Sequence, residues 1–274
     1  PAPVTFNDGD IVSAFATGEG SNQELAVYAL PAGELGFFLP PTGPARLQVA
    51  HLAPFAADPG TAVTITLNGA PALTGFAYGD STVYLEVEPG SYAIEVFPEG
   101  SLTPAISAAA YLAAGMDYTV LAIGDGANQP LSLKVLEDDN RAPAAGSFKL
   151  RLGHLAPFAN TLPGTTADVR LDDGTVILND VVFGDVEPYL ELPAGEYDLK
   201  ITTPDGADTL INYMPVTFAD GDIVSVFATG EGINQPLGGF ALPSGALGLF
   251  LALEPNIYTL YLSFLVQETV LGMP

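Results

Sequence analysis

Apolar and polar residues alternate in short runs along the chain, and turn residues separate the runs. In AVTITL (62–67), threonines alternate with valine, isoleucine and leucine, which is the period of a half-buried strand. Asn68-Gly69 follows, a dipeptide suited to the positive φ angles of a type I′ hairpin. STVYLEVEPGSYAIEVF (81–97) predicts a second hairpin that turns at Pro89-Gly90, and ELPAGEYDLKI (191–201) repeats it.

The pattern is also repeated at long range, and repeats of this length define the architecture. ARLQVAHLAPFA (45–56) matches KLRLGHLAPFA (149–159), and YGDSTVYLEVEPGSY (78–92) matches FGDVEPYLELPAGEY (183–197). We therefore predict unit one over residues 45–145 and unit two over residues 149–251. A Gly- or Pro-bearing turn recurs roughly every ten residues, which is typical of β-sandwiches.

The first 40 residues correspond to the last part of a unit only. DGDIVSAFATGEG (8–20) returns 212 positions later at 220–232, with Ala14 replaced by Val226 as the one change. The predicted fold class is therefore all-β, with tandem immunoglobulin-like antiparallel β-sandwiches and extra terminal strands. Residues 1–40 form a partial repeat, and residues 252–274 form a C-terminal tail.

These motifs resemble a known family. The HLAPF segment, the Asn-Gly hairpin, the Tyr/Phe-Gly-Asp corner and the Leu-Pro-Ala-Gly-x-Tyr segment are similar to the bacterial and archaeal family called domain of unknown function 4397. The resemblance covers both full units and the tail half of a third. It implies secreted or cell-surface β-domains, often in tandem, and it implies no particular chemistry.

Charge narrows the classes of partner. The chain of 274 residues has 32 acidic and 7 basic residues, for a net charge of −25. Nucleic acids and anionic membrane surfaces would repel it, so we expect neither as a partner. Charged residues make up 14 % of the chain against a typical ~25 %, while 48 % are hydrophobic. Either the surface is largely small and neutral, or a partner buries part of it.

Candidate chemistry is sparse. Cysteine is absent, which excludes disulfides and thiolate metal sites. The two histidines, His51 and His154, occupy equivalent positions in HLAPF, and this duplication favours a structural hydrogen bond at the strand end over catalysis. Nucleophile-elbow, P-loop, HExxH and EF-hand patterns do not occur. We expect a protein that is not an enzyme and has no resident cofactor.

Acidic turns are the remaining candidate for a ligand. Asp8, Asp10, Asp220 and Asp222 lie in repeated Asp-Gly-Asp turns, and calcium prefers several oxygen ligands on a turn. The same tripeptide is also ordinary turn chemistry, and no loop supplies six ligands. Calcium is therefore retained as an alternative to the absence of a metal.

The C-terminal tail contains an uncharged run, IYTLYLSFLV (257–266). Ten residues are too few to span a bilayer as a helix, which needs about 20, so we expect no membrane insertion. One interpretation is a last strand of unit two. The other is an assembly strand, with one face formed by Tyr258, Leu260, Leu262, Phe264 and Val266, preceded by Ile257.

A partial repeat at one end and a surplus strand at the other predict self-assembly. An incomplete sandwich leaves an open edge that another chain's strand can pair with. The expected N-terminal assembly residues are Ile11, Val12, Phe15, Leu25 and Val27. Donor and acceptor at opposite ends give head-to-tail growth, so we predict an extracellular, pilus-like filament of copies of this chain. The alternative is a monomeric cell-surface adhesion or ligand-binding module stabilised by calcium.

Overall fold

Strands account for nearly all of the regular structure in the computed structural model, which describes residues 10–17, 26–32, 37–38 and 43–254. The one helical element in these ranges is a 3-10 turn of 3 residues, which is too short to span a membrane. The N-terminal strands form one antiparallel sheet in the order β1-β2-β3. They are β1 (Val12–Thr17), β2 (Ala26–Pro31) and β3 (Phe37–Phe38).

Unit one is a sandwich of two four-stranded sheets, with strand orders β11-β10-β4-β7 and β6-β5-β8-β9. Its strands are β4 (Ala45–His51), β5 (Val63–Leu67), β6 (Ala70–Phe76), β7 (Leu85–Val87), β8 (Gly90–Pro98), β9 (Ile106–Leu112), β10 (Asp117–Ile123) and β11 (Ser132–Glu137). Apolar residues from both sheets fill the space between them, among them Leu47, Val49, Ile65 and Ile94.

Unit two repeats this plan with a longer first sheet, β15-β12-β20-β21-β22, against β14-β13-β17-β18 and a short β16-β19 pair. Its elements are β12 (Ser147–His154), a 3-10 turn (Pro163–Thr165), β13 (Ala167–Leu171), β14 (Val176–Val181), β15 (Leu190–Pro193), β16 (Gly195–Tyr197), β17 (Leu199–Thr202), β18 (Thr209–Asn212), β19 (Val216–Phe218), β20 (Ile223–Thr229), β21 (Gly238–Pro243) and β22 (Leu249–Phe250). Phe148 stacks on Phe218 in its core with ring centroids 4.5 Å apart. The predicted all-β fold of tandem sandwiches is confirmed.

Each unit contains one parallel pair at the centre of its first sheet. β4 pairs with β10 in unit one, and β12 pairs with β20 in unit two. These strands are buried almost along their whole length. Strands covered on both faces read as continuous apolar runs instead of clean alternation.

The two predicted kinds of hairpin have different outcomes. Asn68 and Gly69 have φ angles of 51° and 79° between the paired strands β5 and β6, as the type I′ turn requires. The prediction of a hairpin at Pro89-Gly90 is wrong, because the strands on either side of this turn do not pair with each other. β7 pairs with β4, whereas β8 pairs with β5 and β9 in the other sheet.

The equivalent hairpin in unit two is wrong for the same reason. β15 pairs with β12 and β16 pairs with β19, so the Pro193-Ala194-Gly195 segment passes from one sheet to another. A crossing between sheets and a hairpin both need turn residues after an alternating run, so the local sequence does not distinguish them.

The N-terminal sheet reproduces the end of unit two strand for strand. Val12 lies opposite Pro31, as Val224 lies opposite Pro243, and Tyr28 lies opposite Phe38, as Phe240 lies opposite Phe250. β1, β2 and β3 thus have the register of β20, β21 and β22.

One core tyrosine in unit two has no partner for its hydroxyl. The side chain of Tyr213 is 2 % exposed, and no described group hydrogen-bonds to its Oη. Burial raises the pKa of this phenol. Tyr118 in unit one is similarly buried, but its Oη accepts a hydrogen bond of 3.1 Å from the Ala113 N–H.

We expect Tyr213→Phe and Tyr118→Phe to change stability in opposite directions. The first removes a buried hydroxyl without a partner and should leave the free energy of unfolding unchanged or raise it by up to about 1 kcal/mol. The second removes an acceptor and should lower it by about 1 kcal/mol. Urea unfolding of both variants measures the difference, and a clear loss in Tyr213→Phe would show that its hydroxyl is satisfied, for example by a buried water.

Candidate functional site

The two units pack against each other through the outer faces of their first sheets. We call these surfaces the unit-pairing faces. In unit one the face consists of Ala50, Leu52, Leu121 and Ile123, and in unit two of Leu155, Phe227, Phe240 and Leu242. None of these eight side chains is more than 3 % exposed. Burying each of the large ones contributes about 1.5–3 kcal/mol, so the contact between the units is a second core.

Polar contacts across this core come in reciprocal pairs. Gln129 Nε2 of unit one donates to the Ala159 carbonyl of unit two over 2.8 Å, and Gln235 Nε2 donates to the equivalent Ala56 carbonyl over 3.1 Å. Each glutamine lies four residues after an acidic residue whose side chain holds the loop in place. Asp125 accepts the Gln129 N–H at 2.9 Å, and Glu231 accepts the Gln235 N–H at 3.2 Å.

A second reciprocal pair joins the opposite end of the contact. Gln48 Nε2 donates to the Pro243 carbonyl at the end of β21, over 3.1 Å. Arg151, at the equivalent position in β12, donates through Nη1 to the Glu137 carbonyl at the end of β11, over 3.2 Å. Each unit therefore offers the same kind of surface to the other, which is the arrangement of an approximate two-fold axis.

The faces are not identical in shape. Gly153 lies beside Phe227 in the β12–β20 pair, and a Cβ there would come within 2.7 Å of the Phe227 ring. In unit one the equivalent pair is Ala50 beside the smaller Leu121. The large Phe227 ring on β20 therefore fits only because the neighbouring residue on β12, Gly153, has no side chain.

An ion pair is buried at the edge of the contact. Arg151 Nη2 lies 2.7 Å from Asp138 Oδ1, with the two side chains 4 % and 1 % exposed. Asp138 also accepts from the Tyr84 hydroxyl at 2.6 Å and from Thr119 Oγ1. Burial, and then the Asp138 carboxylate, raise the pKa of Tyr84.

A groove of about 400 Å³ opens beside this ion pair, lined by Leu136, Glu137, Asp139, Arg151, Val186, Glu187, Pro188 and Tyr189. The Arg151 guanidinium lies over the Tyr189 ring, 4.6 Å from its centroid. Because Arg151 already donates to Ser225, Glu137 and Asp138, it has little capacity left for an anionic ligand. The lining instead offers an aromatic ring and carboxylates.

We expect Asp138→Asn to lower the free energy of unfolding by about 3 kcal/mol or more, because Arg151 then remains buried without a counter-charge. Asp172→Asn is the matched control. Asp172 is 66 % exposed and lies 3.4 Å from Lys200, so its loss should cost under about 1 kcal/mol. Guanidinium unfolding of both variants gives the comparison, and equal effects would contradict a structural role for the buried pair.

The N-terminal sheet carries the same kind of face, with large apolar side chains exposed on it. Phe15 is 51 % exposed, whereas Phe227, its equivalent in β20, is 0 % exposed. β20 pairs with β12 on one edge and β21 on the other, but β1 pairs only with β2 among the described strands. Ile11 is 73 % exposed, and Val12 and Val27 are half-buried.

Several predicted assembly residues lie outside the described ranges. These are Leu25 in the N-terminal segment and the whole run Ile257, Tyr258, Leu260, Leu262, Phe264 and Val266. The described chain ends at Glu254, just after Leu253 forms a bridge with Tyr213. The neighbouring strand β22 is an edge strand, with Leu249 and Phe250 about half exposed.

The acidic turns are used by the backbone. Asp220 Oδ1 accepts the Gly146 N–H and Asp222 Oδ2 accepts the Ala219 N–H, both over 2.7 Å. Asp8 lies outside the described residues. Asp10 is exposed just before β1. In the described ranges no three His, Asp or Glu side chains come together in a group that could hold a metal ion.

Both histidines have the hydrogen bonds expected of structural residues. His51 Nε2 lies 3.0 Å from the Thr61 carbonyl, while Nδ1 faces the Ala53 N–H at 3.3 Å. His154 repeats this with Thr165 and Ala156. A ring that donates from Nε2 and accepts at Nδ1 is neutral, and burial lowers the pKa of His51 to about 4. Burial also lowers the pKa of His154.

We expect the protein to lose stability as the pH falls from about 6.5 to about 4. In this window the unfolded chain binds a proton at His51 that the folded chain does not, so the free energy of unfolding decreases as the pH falls. The loss for His51 is on the order of 3 kcal/mol when the native pKa is about 4. Urea unfolding at several pH values measures it.

His51→Gln is the control for this pH dependence. Its amide nitrogen can still donate to the Thr61 carbonyl, but it does not titrate, so the stability curve between pH 6.5 and 4 should become flatter. Identical slopes for the variant and the original protein would show that His51 does not carry the effect.

A family model described as "Domain of unknown function (DUF4397)" matches residues 55–163 and again residues 158–243. The chain belongs to this family. The two overlapping matches reflect the tandem units, and the family description assigns no activity. The comparison with curated proteins gives no match.

Solved structures give only distant similarity. A streptococcal virulence factor that binds α-glucan is 11 % identical, with 70 % of this chain and 95 % of that chain covered at a TM-score of 0.22. The TIE protein of Bacillus anthracis is 14 % identical, with 88 % of this chain and 52 % of that chain covered at a TM-score of 0.20. A candidate adhesin of Bacteroides ovatus is 8 % identical, with 76 % and 95 % covered at 0.21. Similarity at this level carries no argument about what the chain binds.

Sequence reasoning missed the unit-pairing faces. Two signals for them were present. One is the polar or small residue at alternate positions of otherwise apolar strands, Gln48 and Ala50 in β4. The other is the Asn-Gln-Pro-Leu loop that occurs in both units, whose glutamine crosses to the other unit.

Proposed function

We propose that the protein is a non-enzymatic, extracellular structural protein, a subunit that joins with copies of itself head to tail into a pilus-like surface filament. The observation that carries the proposal is the contrast between two strands of nearly the same sequence. In unit two the strand is central and buried; in the N-terminal sheet it is at an edge and exposed.

The edge of β1 is chemically suited to accept a strand. β20 uses the corresponding edge to pair with β12 in parallel, from Lys149 opposite Ile223 to His154 opposite Ala228. The backbone N–H and C=O groups of β1 on this side face no other described strand. An edge with unpaired backbone groups and apolar side chains is a template for strand addition.

The proposed donor is the uncharged run at 257–266 of a second copy. Its face of five large apolar side chains would contribute on the order of 10 kcal/mol on burial, before the cost of ordering the strand. Donor and acceptor at opposite ends of one chain make the contact heterologous, and repeated contacts of this kind form an open polymer.

Two further observations support a structural role. Both histidines are neutral and hydrogen-bonded within the fold, and the described acidic turns accept backbone N–H groups. The extracellular setting rests on the tandem β-domain architecture of the family. No resident cofactor is part of the proposal.

A second candidate is a monomeric cell-surface ligand-binding module stabilised by calcium. The groove between the units favours it, because Tyr189 and the carboxylates of Glu137 and Glu187 line an opening of about 400 Å³. Rings and carboxylates of this kind suit hydroxyl-rich or cationic ligands.

Negative-stain microscopy and sedimentation of the full chain test the proposal. We expect long or very large species for the full chain, and their loss when residues 252–274 are deleted, because the donor strand is then missing. Leu262→Asp should act in the same way by placing a charge on the donor face.

Thr269→Asp, which adds the same charge beyond the donor run, is the matched control and should assemble normally. Assembly of the deletion variant to the same extent as the full chain would contradict the donor role. A monomer in every sample, with a melting temperature that rises on addition of calcium chloride or an α-glucan, would favour the second candidate instead.

A further inference from the structure

The N-terminal sheet has a face as well as an edge, and this face corresponds in sequence to one side of β20 and β21 in unit two. Residues on alternate positions of β1 and opposite positions of β2 share one face, because side chains alternate along a strand. By register the described side chains on this face are those of Ser13, Phe15, Thr17, Tyr28 and Leu30.

The residues of this face match those on one side of β20 and β21, the side that carries Phe227, Phe240 and Leu242 of the unit-pairing face in unit two. The corresponding positions of β20 and β21 are Ser225, Phe227, Thr229, Phe240 and Leu242. Four of the five are identical, and the fifth exchanges tyrosine for phenylalanine. The sequence also keeps Gln23 at the position of Gln235, the residue that reaches the opposite unit.

On the opposite side of the same strands, Val12, Ala16, Ala29 and Pro31 are identical to their counterparts in unit two, and two positions differ. Ala14 stands where unit two has Val226, and Val27 stands where it has Gly239.

We propose that the N-terminal sheet forms a unit-pairing contact of its own, with the N-terminal sheet of a second copy, around a two-fold axis. Like faces already pair in this way within the chain, as the reciprocal bonds from Gln129 and Gln235 show. A contact that each partner makes with the same surface closes as a dimer.

The choice of a second copy as the partner follows from which apolar side chains are exposed. The faces of units one and two cover each other, with Leu121 and Phe227 both 0 % exposed. On the N-terminal sheet, Phe15 is 51 % and Leu30 is 42 % exposed. Among the described residues, the remaining open face of this type in solution is the same sheet on another molecule.

Charge sets the salt dependence of this dimer. The chain carries a net charge of −25, so two copies repel each other, whereas the face itself contains no charged side chain. Added salt screens the repulsion and leaves the apolar contact in place. The dimer should therefore become tighter between low and moderate sodium chloride concentrations, opposite to an association driven by ion pairs.

This inference extends the proposed function and is tested separately from it. The sample is the chain without residues 255–274, which lacks the proposed strand donor but keeps the face and the contacts of Ala252, Leu253 and Glu254 with unit two. Sedimentation equilibrium should show a monomer–dimer equilibrium. Phe15→Ser and Leu30→Ser should each weaken the dimer at least about ten-fold, because each truncates an apolar residue at the centre of the contact.

Leu102→Ser is the matched control, since Leu102 is a loop residue that is 98 % exposed and remote in sequence from this sheet. It should leave the dimerisation constant unchanged. Because the chain has no cysteine, Ser13→Cys provides a single thiol on the face, and it should form a covalent dimer with a short thiol cross-linker, whereas Ser101→Cys should not.

Two outcomes would overturn the inference. One is a deletion variant that stays monomeric at high concentration and moderate salt. The other is a dimer that Phe15→Ser and Leu30→Ser leave as tight as before, with both variants folded by near-ultraviolet circular dichroism. Loss of filaments alone, with the dimer intact, would contradict the strand exchange and leave the face contact standing.

Discussion

Burial of the central strands on both faces is the constraint on which the rest of this structure depends. β4 and β10 in unit one, and β12 and β20 in unit two, contribute alternate side chains to their own sandwich and to the neighbouring unit. Without the other unit, each sandwich would expose the apolar outer face of its first sheet. The tandem arrangement removes that surface from water by packing one unit on the other, so each unit contributes to the stability of the other.

This constraint also accounts for the polar residues in the contact. Gln48, Gln129, Gln235 and Arg151 lie where apolar packing ends, and each donates to a backbone carbonyl of the opposite unit. Such bonds add modest net stability, but they leave buried donors unsatisfied in any other register. The apolar core brings the units together, and the glutamines and Arg151 fix how they are aligned.

Much of the fold could be predicted from the sequence. Strand alternation and turn dipeptides are visible in a few neighbouring residues, and repeats are found by comparing the sequence with itself. The Asn68-Gly69 turn and the match of β1 to β20 are examples. What the sequence did not reveal is which sheet a strand joins. Pro89-Gly90 connects two sheets, and a hairpin would need the same residues. The faces between the units were also missed, since Ala50 and Leu52 look like ordinary core residues until the second unit is placed against them.

The close approach of Gly153 to Phe227 has a consequence for any strand that would lie beside β1. Phe15 repeats Phe227, so an incoming strand meets the same bulky ring at the same place. A strand can approach to hydrogen-bonding distance there only with a small residue beside the ring, and in the proposed donor run 257–266 the smallest side chain is that of Ser263, between Leu262 and Phe264. Phe15 therefore restricts both which sequences can pair beside β1 and how such a strand is aligned with it.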